Sequence, residues 1–196
     1  MKRLIRDKGS LTLETAIVLP IFFFMFLFVF CFFGLVSARN QIHHALLQSA
    51  KSLSMDSMLN ESVESAAEKE TKFWGNFADM IYDLVRLGND PYFSSSTDWY
   101  KNTSSNYVIQ RRFIGYLAGS DDDAIDEASE KLRRLGVADG IDGIEFEYSV
   151  SDGDLEITAT YEWQAWFNFF GVGSFPMEDK VTVRMWGFDD SASTEA

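Results

Sequence analysis

Cysteine is nearly absent: Cys31 is the only one among 196 residues. An intrachain disulfide is excluded, and so is a zinc site built on thiolates; cysteine usage leaves the redox compartment unread. Cys31 follows the bulky Val29 and Phe30 rather than the small residues that precede a lipidated cysteine, so it reads as packing within an apolar segment. Histidine is as scarce. His43 and His44 are adjacent, point about 100° apart on a helix, and cannot both ligate one metal from one face. They read as solvated or interfacial groups. There is no P-loop, no GxSxG elbow and no metal-spaced His/Cys set. A carboxylate pair has no signature in sequence, but nothing else points to catalysis, and no catalytic residue, metal or cofactor is expected. Outside the first nine residues positive charge is thin. Lys2, Arg3, Arg6 and Lys8 against Asp7 leave that leader at +3, while the other residues carry −16 of the total −13. An acidic bulk lacks the clustered Lys and Arg that displace counterions, so nucleic acid is not an expected partner.

One segment lacks charge altogether. From Thr15 to Ala38 no acidic or basic residue occurs, and eight of the 18 phenylalanines fall there. Twenty-four residues make about 36 Å of helix at 1.5 Å per residue, against a hydrocarbon core of about 30 Å. With no polar face, the run reads as a transmembrane helix. The basic leader before it predicts a cytoplasmic N-terminus and an exported bulk. "VSA" at Val36–Ala38 offers a rival, a signal-peptidase site that would release a secreted domain, although secretory apolar regions usually run about 7–15 residues. Pro20, one turn into the helix, removes a backbone hydrogen bond and reads equally as a tolerated membrane proline or as a functional bend.

The charge that does stand at the membrane edge is Glu14, five residues after Gly9. A plain anchor gains nothing from it. Cleavage after Gly9 would make Ser10 the new N-terminus and Glu14 the fifth mature residue. The new α-amine has a reference pKa of roughly 7.7–8.0 and is largely protonated at neutral pH. A carboxylate near the start of a helix is favoured by the helix dipole. Pairing with the amine of a neighbouring subunit would set the register of packed helices. The plainer alternative makes Glu14 an interfacial charge and Gly9 a loop residue.

"KGSLTLETAIVLPIFFFMFLFVF" followed by "SARNQIHHALLQSAKSL" resembles the N-terminus of the TadE-like proteins, minor pseudopilins of the tight-adherence pilus system related to type IV pilins. The resemblance is carried by Gly9 with its basic neighbour, Glu14, the "AIVLP" ending in Pro20, and "ARNQIHHA", over roughly residues 6–53. It implies processing between Gly9 and Ser10 by a prepilin peptidase, an assembly role for Glu14 and Pro20, and a place in building a surface pilus. The implied partners are other pilin or pseudopilin subunits and the secretion machinery in the membrane. Leu13 and Thr15 flank the glutamate where the family more often has valine and alanine or phenylalanine, and Ser10 replaces the phenylalanine usual in major type IV pilins.

The expected architecture is α+β: a leader at 1–9, a transmembrane helix at 10–38, a stalk or connector at 39–72, and a pilin-like extracytoplasmic domain at 73–196 with helices on a small antiparallel sheet. Ile42, Leu46, Ser49 and Leu53 fall on one face of the continuing helix. Residues 73–88 read as a further helix ended by Gly88. Residues 89–106 read as a loop whose Tyr92, Phe93, Trp99 and Tyr100 pin it to its own core rather than forming a partner surface. Residues 107–117 read as a strand. Ser120 reads as the N-cap of a helix that Asp121–Asp123 start and Lys131, Arg133 and Arg134 end. Runs at 144–150 and 155–163 read as a hairpin turning at Asp152–Gly153, which accounts for Asp152 and Asp154 without an ion. A last strand is expected at 180–186, after a loop containing Gly171, Gly173 and Pro176. The alternative for the whole chain is an unprocessed, single-pass anchor carrying a binding domain.

Overall fold

The structure is a computed structural model. It describes the backbone of residues 2–67, 92–93, 99, 105–169 and 172–185, and within these the side chains of 13–56, 92–93, 99, 105–165 and 173–185. The helix expected at 73–88, Tyr100 and Trp186 lie outside the described residues.

Helix α1, Lys2–Ala67, is unbroken and carries Pro20 inside it. In its described first part Leu13, Ile17, Phe22, Phe28 and Phe33 are all more than half exposed. Its second half has a buried stripe of Ala38, Ile42, Ala45, Leu46, Ser49, Ala50 and Leu53, the three-and-four spacing of a single helical face. The expected face of Ile42, Leu46, Ser49 and Leu53 is therefore one wall of the core. Small residues at 38, 45, 49 and 50 let the rest of the chain approach closely, and the Ser49 hydroxyl is satisfied by donating to the Ala45 carbonyl at 2.7 Å.

A three-stranded antiparallel sheet lies against that wall, in the order β1 (Ile144–Ser151), β2 (Asp154–Phe169), β3 (Val172–Arg184). In β2 every second residue, Leu155, Ile157, Ala159, Tyr161 and Trp163, is buried. That period-two pattern turns one sheet face onto the helices. The β1–β2 turn is Asp152–Gly153 as expected, with φ of 54° and 77°. Two consecutive positive values make the mirror-image turn that matches strand twist, and Gly supplies the second at no steric cost.

Three expectations are corrected. Residues 107–117 are not a strand but belong to helix α2, Ser105–Ala118. Tyr107, Val108 and Ile109 look β-like locally, but Ile109, Phe113 and Leu117 recur at four-residue spacing and are all buried. Helical burial against α1 outweighs the weak local preference. Secondly, Ser120 does not cap the following helix. Helix α3, Ala124–Arg134, begins after Asp123, which makes no side-chain cap. Asp121–Ala124 instead form a turn closed by the Ala124 amide on the Asp121 carbonyl at 3.0 Å, and Ala124, Ala128 and Leu132 of the helix are in the core. The expected Lys131, Arg133 and Arg134 are in its last turn, whereas the acids of its first turn are Asp126 and Glu127, with Asp121–Asp123 ahead of it. Thirdly, the last strand is much longer at its start: it runs through Gly173 and Pro176. Because β3 is an edge strand, a residue without an N–H is tolerated there.

Tyr92, Phe93 and Trp99 are buried, so these loop aromatics do pin the chain to its core. A Cβ at Gly115 of α2 would lie 2.9 Å from the Phe93 ring, so only glycine leaves room for it.

Candidate functional site

Gly9 and Ser10 lie in the helical backbone of α1, and Glu14 and Pro20 are exposed on it further along. Five residues separate Gly9 from Glu14, about 7.5 Å along the axis. Among the described residues no ion pair involves Glu14. The four residues singled out from sequence thus lie along one helix, Gly9 and Ser10 in its backbone and Glu14 and Pro20 on its exposed part.

A second cluster, which the sequence does not reveal, sits where the apolar half ends. Arg39 is the first charge after Ala38, and its Nε donates to Asp179 Oδ1 on β3 at 3.1 Å. Asp179 is only 2% exposed. Its other oxygen accepts the Tyr161 hydroxyl at 2.9 Å, from the neighbouring strand. His43 Nδ1 stands 3.8 Å from the same carboxylate. Burial, the hydrogen bond to Asp179 and its negative charge push the Tyr161 phenol well above its ordinary pKa; Arg39 opposes the shift without cancelling it. Helix and sheet are therefore tied together at the rim of the apolar segment by one buried carboxylate.

Further from the apolar half, α2 is tied to the same helix. Arg112, 2% exposed, reaches Asp56 at 2.5 Å and also donates to Ser52, while its guanidinium carbon lies 5.8 Å from the Phe93 ring centre. Ser54 donates to the Arg184 carbonyl at 2.5 Å. On the other side of the Arg39 junction, Trp163 lies over Gly34, where an added Cβ would be 3.7 Å from the indole. The indole Nε1 donates to the Leu135 carbonyl at 2.9 Å. Residues after α3 continue the sheet there, with Gln164 N on Gly136 O at 2.6 Å and Ala138 N on Glu162 O at 2.9 Å. What results is a head clamped along one face of a helix that leaves Leu13–Phe26 exposed.

That helix contains the stretch with the apolarity and length to cross a membrane, within Leu13–Asp56. Among the described residues no group of three or more His, Cys, Asp or Glu is placed to hold a metal ion. The family model described as TadE-like protein matches residues 9–51. The N-terminal segment is TadE-like. The match begins at Gly9, takes in Glu14 and Pro20, and continues through Arg39 and His43 into the face that packs on the head. No curated protein and no solved structure matches the chain. The match thus lies within α1 and ends before the head.

Proposed function

We propose that this chain is a minor pilin-like subunit of a tight-adherence pilus system, cut by a prepilin peptidase between Gly9 and Ser10 and assembled through its N-terminal helix. The observation that carries the reading is the position of Glu14: an exposed carboxylate at the start of a charge-free helical surface, five residues after Gly9, inside the TadE-like segment. An acid in that setting is poorly solvated and gains from a cation. Cleavage removes a leader of net charge +3 and creates an α-amine close to the carboxylate in a single step. In an assembly the amine of one subunit faces Glu14 of the next and fixes the axial stagger between helices. The work of the chain is then structural, with a cytoplasmic N-terminus, an exported head and the secretion machinery of the membrane as its setting. Because Gly9 is helical here, the peptidase has to unwind the first turns to bring an extended backbone to its catalytic carboxylates, and glycine makes that easier.

The deciding experiment is the N-terminal residue of membrane-extracted protein, read by mass spectrometry after expression beside a prepilin peptidase. A chain beginning at Ser10 supports the proposal. An intact leader beside an active peptidase overturns it in favour of an unprocessed anchor with a binding head. A start at Arg39 makes the head a secreted domain.

A further inference from the structure

The head does not stop where the apolar half of α1 begins. Three contacts align sheet and helix: Ser54 with Arg184, Arg39 with Asp179, and Gly34 with Trp163, whose register partner is Phe175. From Arg184 to Phe175 is nine strand residues, about 30 Å at 3.3 Å each. From Ser54 to Gly34 is twenty helix residues, about 30 Å at 1.5 Å each. The two spans agree, so β3 and α1 run side by side. Burial on the helix agrees: Cys31 and Leu35, four residues apart on one face, pack against the core. Both belong to the uncharged run.

The composition of the hairpin changes at the height of Arg39. Between Glu162 and Glu178 fifteen consecutive residues, 163–177, carry no charge, and six of them are aromatic. Glu178 and Asp179 flank that stretch on β3, and Asp179 meets Arg39, the residue that ends the uncharged run of the helix. Two segments far apart in sequence thus lose their charge at one common level. Beyond it Ser174, Phe175 and Pro176 are exposed, Phe175 with 38% of its surface.

From this we infer that the stretch of the β2–β3 hairpin around Gln164, Ser174, Phe175 and Pro176 is a second membrane contact, dipping into the headgroup and upper acyl region of the leaflet on the head's side. Aromatic side chains favour that zone, where an apolar ring is welcome and backbone polar groups still meet water. Among the described residues no strand pairs with the outer edge of β3, and this limits the depth, since unpaired N–H and C=O groups are not tolerated in the hydrocarbon core. Pro176 removes one of those donors. The helix and the hairpin together hold the head at a fixed height and rotation on the bilayer, rather than leaving it to pivot on one helix. This rests on the membrane reading of α1 and not on processing at Gly9.

The test is accessibility of a nitroxide in the full chain, in the Cys31→Ser background, reconstituted at low protein-to-lipid ratio into vesicles of phosphatidylethanolamine and phosphatidylglycerol. Labels go on Ser174→Cys and Gln164→Cys, both exposed at the hairpin, on Phe33→Cys in the helix, and on Thr182→Cys on the far part of β3. Collision with oxygen, which concentrates in lipid, is compared with collision with a water-soluble nickel chelate. The expected oxygen-to-nickel ratio at 174 and 164 is several-fold above that at 182 and approaches that at 33. Hairpin labels that match 182, while 33 reads lipid, put the hairpin in water and overturn the inference. Labels at 174 and 164 shielded from both reagents mean that protein, such as a second copy, covers the hairpin, which overturns it as well. A label at 33 that reads water removes the membrane reading on which the inference stands.

Discussion

Arg39 and Asp179 stand 140 positions apart in the chain and 3.1 Å apart in space, where the uncharged run of α1 ends. The arginine is more than half exposed and its own contribution is screened by water, but the carboxylate is buried and also satisfies Tyr161. Removing the carboxylate therefore costs more than the ion pair alone. Asp179→Ala leaves the Tyr161 hydroxyl without its acceptor and is expected to destabilise the head by about 2 kcal/mol. Denaturant unfolding of the detergent-solubilised chain, followed by tryptophan fluorescence, measures it. Arg39→Ala in the same assay should cost less than half as much.

The same cluster gives an alkaline limit. Tyr161 has its phenol pKa raised in the folded state by burial and by Asp179, so the folded protein holds that proton more tightly than the unfolded chain. Stability from this group is complete below the unfolded value of about 10 and falls as pH rises above it, because the unfolded chain ionises first. Unfolding free energies measured from pH 8 to pH 11 should fall more steeply for the native chain than for Tyr161→Phe. Equal slopes in the two proteins would remove Tyr161 as the cause.

Arg112 ties α2 to α1 through Asp56 and Ser52 with almost no access to solvent. Arg112→Ala removes a buried guanidinium from both Asp56 and Ser52, and a loss of about 3 kcal/mol is expected. Arg112→Lys should recover only part of it, since an ammonium on a flexible stem does not reproduce the guanidinium fork that reaches both partners. Thermal unfolding of the two variants side by side gives the comparison.

These ties mark the limit of what could be read in the sequence. The Asp152–Gly153 turn was legible because its cause is local, two residues with positive φ between alternating runs. The buried face of Ile42, Leu46, Ser49 and Leu53 was legible because a helix repeats its contacts every three or four residues. Asp179 was not, since its partners lie 18 and 140 positions away and an acid on a strand ordinarily faces water. α2 was misread because its β-branched and aromatic start resembles a strand, and only α1 packed against it shows why Arg112 is buried. Pro176 argued for a loop until β3 proved to be an edge. Of the candidate site, Gly9, Glu14 and Pro20 are read from position alone, whereas Gly34 and Trp163 needed the fold.

Gly34 separates backbone preference from packing. A methyl there sits in ordinary contact with Trp163, so Gly34→Ala should fold normally, with a helix favoured by about 0.5–1 kcal/mol. Gly34→Leu places further carbons where the indole lies and should break the Trp163 bond to Leu135. Near-ultraviolet circular dichroism distinguishes them: an unchanged tryptophan signal in the alanine variant and a lost or shifted one in the leucine variant. The same signal in both would mean that Trp163 does not pack on the helix.

Glu14 allows processing and assembly to be separated. If the carboxylate serves the register between subunits, Glu14→Ala should still lose its leader beside a prepilin peptidase, because the cut site five residues away is untouched, yet fail to support surface pili. Glu14→Gln keeps the shape and loses the charge, so it should fail as well, whereas Glu14→Asp keeps the charge on a shorter arm and should retain part of the function. Mass spectrometry of the N-terminus and a count of pili sheared from cells give the two readouts independently. Normal piliation with Glu14→Gln would show that the charge is not used in assembly. A leader retained in all three variants would instead place Glu14 in the contact with the peptidase. The charge matters more here than at an exposed site, since an ion pair beside a charge-free helical surface is poorly screened by water and its loss is not made good by solvent.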